Sequence, residues 1–243
     1  DFSIKLIYLK NLINSMNLIQ ISNKVKTSKK GLGYFEIYEK YFKKLRLKKL
    51  NILEIGVEDG GSIRIWKKYF PKSKIVGLDI AKMSFSIKGV DLIQGDQSDI
   101  NILKKIAKKY KYFDIIIDDG SHLSKHIIKS FKYLFDSLKN DSLYIIEDLQ
   151  TSYMPRYGGS RIKLKKHSTS LNFFKSLTDS INYEINDKPF FKKTKFDGLI
   201  KYVHFYQNIV IIKKGHSKKL FYKKSNKNLS ISNKIKKIIS YIN

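Results

Sequence analysis

The run Asp118-Asp119-Gly120-Ser121-His122 and the pair Glu147-Asp148, which begins 28 residues after Asp119, hold the residues most able to do chemistry. Each follows an apolar, β-branched stretch, Tyr112 to Ile117 before the first and Ser142 to Ile146 before the second. Both stretches read as buried strands. Carboxylates and a histidine are thereby delivered to the carboxyl ends of two strands, the edge where open α/β sheets bind ligands. Acids gathered there repel one another unless a cation or a cationic cofactor joins them. Oxygen-only ligands select hard cations, so Asp119, Glu147 and Asp148 favour Mg2+ or Mn2+ over zinc. Neighbouring strands lie about 4.8 Å apart, so their ends can share one ion. Glu147 and Asp148, being adjacent, point oppositely in a regular strand and converge only if the chain turns directly after Ile146. His122, three residues past Asp119 and near a helix start, is placed to act as a general base; a plain helix-start histidine is the alternative. Asp118 is either a structural strand-end residue or a cofactor contact.

A second constellation lies upstream, in Glu54-Ile55-Gly56-Val57-Glu58-Asp59-Gly60-Gly61-Ser62. Glycines after a strand let the backbone turn sharply and approach a ligand closely. The dinucleotide fingerprint needs a second glycine two residues after the first, and a phosphate-binding P-loop needs a Gly-Lys-Ser/Thr; neither is present. Glu58 and Asp59 would repel a pyrophosphate. S-adenosylmethionine carries no phosphate, and its sulfonium and amino groups are cationic, so an acidic glycine loop suits it. Glu54, Gly56, Gly60 and Ser62 are its candidate contacts in this loop. Asp79 lies 23 residues beyond Gly56 at the end of the next strand, where a carboxylate accepts ribose hydroxyls. Asp96 and Gln97 follow the third strand and are candidates for the adenine edge, although Gly95-Asp96 is also an ordinary turn.

The elements that must position these residues alternate. Strands are expected at Asn51 to Ile55, Lys74 to Leu78, Asp91 to Gln94, Tyr112 to Ile117 and Ser142 to Ile146, with helices over Ser62 to Phe70, Ile100 to Tyr110 and Ser124 to Leu138. About ten residues join strands two and three, too few for a helix. Lys201 to Tyr206 and Asn208 to Lys213 read as a hairpin. A doubly wound parallel sheet closed by a terminal antiparallel hairpin is the pattern of the class I methyltransferase fold, an α/β Rossmann-like sheet. Residues 1–45 are expected as a helical N-terminal extension, with Ser22 to Gly33 a polar, lysine-rich loop. Residues 46–215 would form the S-adenosylmethionine-dependent methyltransferase domain. Residues 216–243 would form a basic tail, in which Ile231, Ile235, Ile238, Ile239 and Ile242 make one helical stripe suited to intramolecular packing or a subunit interface, with a membrane surface as the lesser alternative. Trp66 reads as core and His126 as a surface histidine.

The Asp118–His122 run, the interval to Glu147-Asp148 and the following Thr151-Ser152-Tyr153…Tyr157-Gly158-Gly159 together resemble the metal-dependent macrolide-sugar O-methyltransferases, the macrocin and mycinamicin type, and more distantly the cephalosporin hydroxylase group. The resemblance covers roughly residues 50 to 160. It implies that Asp119, Glu147 and Asp148 bind Mg2+, that His122 accepts a proton, that S-adenosylmethionine is the cofactor and that glycoside hydroxyls are the substrates. The chemistry is coherent on its own terms. A sugar hydroxyl is too weak an acid to ionise unaided near neutral pH, and a divalent ion lowers that barrier as it does for bound water. The methyl donor is already activated, so alignment is the protein's main contribution.

In the loop from Gln150 to Lys166, Tyr153, Pro155, Arg156, Tyr157, Gly158, Gly159 and Arg161 suit a sugar-facing lid. Two of the chain's four arginines fall there, which points to an anionic group on the substrate, with a mobile surface loop as the alternative. The formal charge of +28 invites a nucleic-acid reading. It comes almost wholly from lysine, however, whereas phosphate and base readers favour the planar fork of arginine. The competing readings are a methyltransferase for RNA or another small molecule, and a non-catalytic module that kept only the fold. One histidine among three acids departs from the two-histidine, one-carboxylate iron pattern, which disfavours oxygenation. No cysteine is present, so thiolate metal sites and disulfides are excluded. No apolar run is long enough for a membrane span, and a cytoplasmic enzyme, homo-oligomeric through its helical extensions, is expected.

Overall fold

The computed structural model describes residues 16–166, 168–184 and 193–216. Residues 1–15 of the expected helical extension and the basic helical stripe of residues 229–243 lie outside them. Seven strands form one sheet: β1 (Asn51–Ile55), β2 (Lys74–Asp79), β3 (Val90–Gln94), β4 (Phe113–Asp118), β5 (Leu138–Ile146), β6 (Ile200–Tyr206) and β7 (Ile209–Lys214). Their order is β3-β2-β1-β4-β5-β7-β6. The first five run parallel, and β7 is antiparallel to both β5 and β6. The sequence is therefore a class I methyltransferase sheet, as its alternation and terminal hairpin predict. Asn208, at φ 62°, makes the tight turn between β6 and β7.

The central strands are apolar on both faces because both faces are covered. Leu53, Ile55, Val76, Leu78, Ile116, Tyr144 and Ile146 join one buried cluster with Leu103, Ile106, Ile127, Phe131 and Phe174. These come from α4 (Ile100–Tyr110), α5 (Ser124–Leu134) and α6 (Ser170–Ile181). Ile52, Ile75, Ile115, Ile117, Leu143 and Ile145 face the other way, against Ile63, Trp66 and Tyr69 of α3 (Gly61–Tyr69). This second layer is completed by α1 (Leu18–Ser22) and α2 (Tyr34–Phe42). Phe35, Tyr38 and Phe42 lie with ring centroids 6.0, 5.3 and 5.9 Å from Trp66. The N-terminal residues thus share a core with the sheet.

Two boundaries differ from expectation for a physical reason. Helix α5 ends at Leu134 and β5 begins at Leu138, because Leu138 pairs with Phe113 and shields the open end of β4. Helix α6 was not expected. Its signals are a Thr169 cap, whose side chain accepts from the Asn172 amide, and buried Phe174 and Leu177 at helical spacing. No helix joins β2 to β3.

Candidate active site

The register brings the chemistry together. Ile55 stands opposite Asp118, and Asp118 opposite Ile146, so β1, β4 and β5 end level at the point where the strand order reverses. Gly56 turns away from β1 at φ 86°, and a Cβ there would sit 2.1 Å from the Asp119 carbonyl oxygen. Only glycine lets the two loops pass this closely. A cavity of about 720 Å³ opens at this edge, within the roughly 300–1,000 Å³ of small-molecule sites. Gly56, Ser62, Asp79, Asp96, Gln97, Asp119, His122, Glu147 and Asp148 all line it.

Glu147 keeps the ladder direction, its amide donating to the Asp118 carbonyl at 3.0 Å. Asp148 then takes the left-handed conformation, φ 55°, and the chain turns. His122 is also left-handed at φ 57°. Such backbone costs on the order of 1–3 kcal/mol per residue and persists where its surroundings over-determine it. The turn brings Asp119, His122 and Asp148 into one group whose ligand atoms lie within 4.8 Å of one another, with His122 Nε2 3.8 Å from Asp148 Oδ2. The acids of two strand ends do converge, but Asp148 and Glu147 are held differently.

Tyr34 and Tyr38, one turn apart on α2, reach the two adjacent acids. Tyr34 donates to Asp148 Oδ1 at 2.8 Å, and the buried Tyr38 hydroxyl donates to Glu147 Oε1. The lysine-rich segment before α2 enters the site as well. Lys29, 3% exposed, places its ammonium 2.6 Å from Asp119 Oδ2, 2.7 Å from Glu147 Oε1 and 3.3 Å from Glu54 Oε1. Thr27, Ser28 and Leu32 line the same cavity, and Ser28 donates to Glu58 at 2.8 Å. The cation that acids at this edge demand is therefore partly supplied by the chain itself. Burial opposes the charge on Lys29, but Glu147, Asp119 and Glu54 hold its pKa well above the ordinary lysine value. One ammonium cannot balance all three carboxylates. Burial, and then Asp119, push Glu147 up to about 8. Its Oε2 is buried and accepts no hydrogen bond from any described residue.

Several candidate cofactor contacts sit elsewhere than expected. Glu54 is fully buried under the cavity, between Lys29 and the Ser62 hydroxyl, and does not line it. Gly60 does not line it either, and Phe85 packs where its Cβ would lie. Asp118 is 1% exposed, and its carboxylate accepts from Ser130 at 2.7 Å and Gln97 at 3.0 Å. Burial pushes it up to about 6 against those donors. Gln97 in turn accepts the Ser121 amide at 2.6 Å, so Asp118 braces the loop that carries His122. Asp79 accepts the Val57 and Glu58 amides at 2.7 and 3.0 Å and shapes the glycine loop as well as facing the cavity. His126, expected on the surface, lines the cavity with Nδ1 3.1 Å from the Ser121 hydroxyl. None of residues 150–166 lines the cavity, but the Tyr157 ring stands edge-on to His122 at 6.3 Å with Arg156 4.8 Å above it.

Lys29, Tyr34 and Tyr38 escaped sequence reasoning. The tyrosines fall within the expected helical extension, where Tyr34, Ile37, Tyr38 and Tyr41 recur at near-helical spacing and give no sign of the acids they meet. Lys29 is one of many lysines in a segment with no periodicity, and nothing local distinguishes it.

No family model matches the chain. It is 38% identical over 212 residues to the mycinamicin VI 2''-O-methyltransferase of Micromonospora griseorubida, a match covering 83% of this chain and 53% of that protein. It is 35% identical over 187 residues to the demethylmacrocin O-methyltransferase of Streptomyces fradiae, covering 73% and 47%. Among solved structures, MycE methyltransferase from the mycinamycin biosynthetic pathway, in complex with Mg and SAH, superposes with a TM-score of 0.80 at 34% identity, over 91% of this chain and 59% of that one. The chain spans about half the length of the curated relatives it matches. Over that shared span, with the same sheet and a third or more of its residues in common, the chain is a homologue of the macrolide-sugar O-methyltransferases and shares their class I methyltransferase fold.

Proposed function

We propose that this chain transfers a methyl group from S-adenosylmethionine to a sugar hydroxyl of a glycoside, with a divalent cation, Mg2+ or Mn2+, held at the strand ends. The observation that carries the reading is the group formed by Asp119, His122 and Asp148 in a cavity whose other wall is the acidic glycine loop. The donor chemistry fits such an ion: the carboxylate oxygens of Asp119 and Asp148, with the partnerless buried Oε2 of Glu147 beside them and the His122 imidazole left to act as base. Asp119 and Asp148 would hold it, with Glu147 at their side. MycE methyltransferase, at 34% identity, was crystallised with Mg and SAH, which supports both assignments. When bound, the cation polarises the acceptor hydroxyl and S-adenosylmethionine supplies an activated methyl group.

The residues of this chain do the rest. Gly56, Ser62, Asp79, Asp96 and Gln97 line the half of the cavity that suits the nucleoside, with Glu58 and Asp59 placing negative charge near a sulfonium. Gly60 serves from behind by letting α3 begin at φ 77°. Glu54 and Asp118 support Lys29 and Gln97 from beneath. His122 Nε2 receives the proton of the hydroxyl to be methylated, and the nearby Asp148 carboxylate stabilises the imidazolium that results. Tyr157 and Arg156 stand where a sugar face and an anionic substituent would approach His122.

The deciding experiment supplies labelled S-adenosylmethionine with glycosylated macrolides and nucleotide-sugars, with and without a chelator. Label transfer to a sugar oxygen that chelation abolishes is the expected result. Transfer that survives chelation removes the cation from the mechanism. Absence of both transfer and S-adenosylhomocysteine binding removes the enzyme reading.

A further inference from the structure

The N-terminal segment contributes a residue whose placement the methyl-transfer chemistry does not require. Lys29 comes from a stretch without regular secondary structure, yet it is almost fully buried and its ammonium touches Glu54, Asp119 and Glu147 together. Two of these are acids of the strand ends where the cation is proposed. We propose that Lys29 is a resident counter-cation: it keeps the acid cluster charge-balanced in the absence of a divalent ion, and it weakens that ion's binding by competing for the same carboxylates. This rests on the metal-assisted reading above.

The sign follows from charge. Carboxylates on converging strand ends repel one another in a poorly solvated site and would splay or take up protons without a partner. Lys29 relieves part of that pressure, occupying one oxygen of Asp119 and one of Glu147. A divalent ion entering beside Asp119, His122 and Asp148 then meets a fixed positive charge held on Asp119 itself, and like charges this close oppose each other strongly where water is scarce. The lysine also ties its own segment, from which Thr27, Ser28 and Leu32 wall the cavity, to the acids on its floor. Loss of the ammonium therefore has opposite consequences for the two states: the metal-free protein is weakened and the ion is bound more tightly. A lysine that merely fills space or orients its partners would not produce that pair of effects. The outcome for the enzyme is an ion that exchanges readily and a cluster that survives its departure.

The test compares wild type with Lys29→Gln, which keeps a hydrogen-bond donor but no charge. Thermal melting in chelator and Mn2+ titration by calorimetry are the readouts, neither of which needs turnover. Lys29→Gln is expected to melt lower than wild type in chelator, to gain more in melting temperature on adding Mn2+, and to bind Mn2+ at least tenfold more tightly. Should Lys29→Gln fail to fold in chelator, recovery of a cooperative melt with Mn2+ alone supports the proposal. The double variant Lys29→Gln/Glu54→Gln, which removes one charge of each sign beneath the cavity, provides the measurement if Mn2+ does not rescue the single one. Equal or weaker Mn2+ binding by a folded variant, while wild type binds well, overturns this inference and leaves the metal-assisted reading standing. Failure of wild type and folded variant alike to bind Mn2+ overturns both.

Discussion

At the scale of single residues, His122 and Glu147 separate two kinds of role. His122 faces the cavity from a left-handed backbone position and is braced by the Thr151 hydroxyl donating to its carbonyl at 3.2 Å. Its side chain has no part in the buried network beneath. His122→Ala is therefore expected to cut turnover by about 10²- to 10⁴-fold while leaving the affinity for S-adenosylhomocysteine within a factor of two or so; calorimetry alongside a methyl-transfer assay reads both, and equal loss of each would move His122 into the binding surface. Glu147 behaves otherwise. Its carboxyl is raised from 4.5 to about 8 by burial and Asp119, so between those values the folded chain holds a proton that the unfolded chain has released. Stability of the metal-free protein is then greatest at low pH within that window and is lost as pH rises through 8. From pH 6 to pH 8 the fall should be roughly 2 kcal/mol in urea melts, and Glu147→Gln should flatten it. A flat profile over this range would mean that Glu147 is ionised throughout. The acids themselves were legible in the sequence because each follows an apolar run that could only be a strand. Their partners were not, since Lys29 and Tyr38 lie 90 and 109 residues upstream of Asp119 and Glu147 and carry no local signal of that contact.

At the scale of elements, alternation in the sequence specifies β1 to β5 well because buried parallel strands must be apolar on both faces, and few other segments of this chain are. It specifies α2 as a helix but not its task, since a stripe of tyrosines reads as core until the acids it meets are known. Of the candidate cofactor contacts, Glu54 is turned beneath the cavity by the pleat of β1, Gly60 sits behind it at the start of α3, and Asp118 is buried at its strand end, one of the two roles the sequence left open. Gly56 is the element-scale position most exposed to test. The crossing of the β1 and β4 loops leaves no room for a side chain, and its φ of 86° is itself unfavourable for other residues. Gly56→Ala is expected to cost about 2–4 kcal/mol of stability, from strain and overpacking together, and to weaken S-adenosylhomocysteine binding in whatever fraction still folds. A neutral effect on melting would show that the two loops part more easily than their contact suggests.

At the scale of the whole molecule, the lesson concerns where the domain begins. Composition and periodicity place a boundary near residue 45, and the polar lysine-rich stretch Ser22 to Gly33 upstream reads as a loop within a helical extension. The packing argues differently. One face of the sheet is covered by α3 together with α1 and α2, so without the N-terminal helices Trp66, Phe70 and their neighbours would lose the aromatic rings packed against them. The same segment walls the cavity and sends Lys29 and Tyr38 into its floor. Core and site therefore draw on one stretch of chain, and we propose that neither assembles from residues 46–215 alone. Trp66 is the single tryptophan and is fully buried against Phe35, Tyr38 and Phe42, which makes the point measurable. The whole chain should show blue-shifted tryptophan emission and one cooperative melt. A chain that begins at residue 46 should show red-shifted emission, no cooperative transition and no binding of S-adenosylhomocysteine, because burying each of these aromatic side chains contributes about 1.5–3 kcal/mol to a fold whose total margin is only about 5–15 kcal/mol. If the shortened chain melts cooperatively with its tryptophan still shielded, the N-terminal residues are an appendage after all, and the boundary near residue 45 is real.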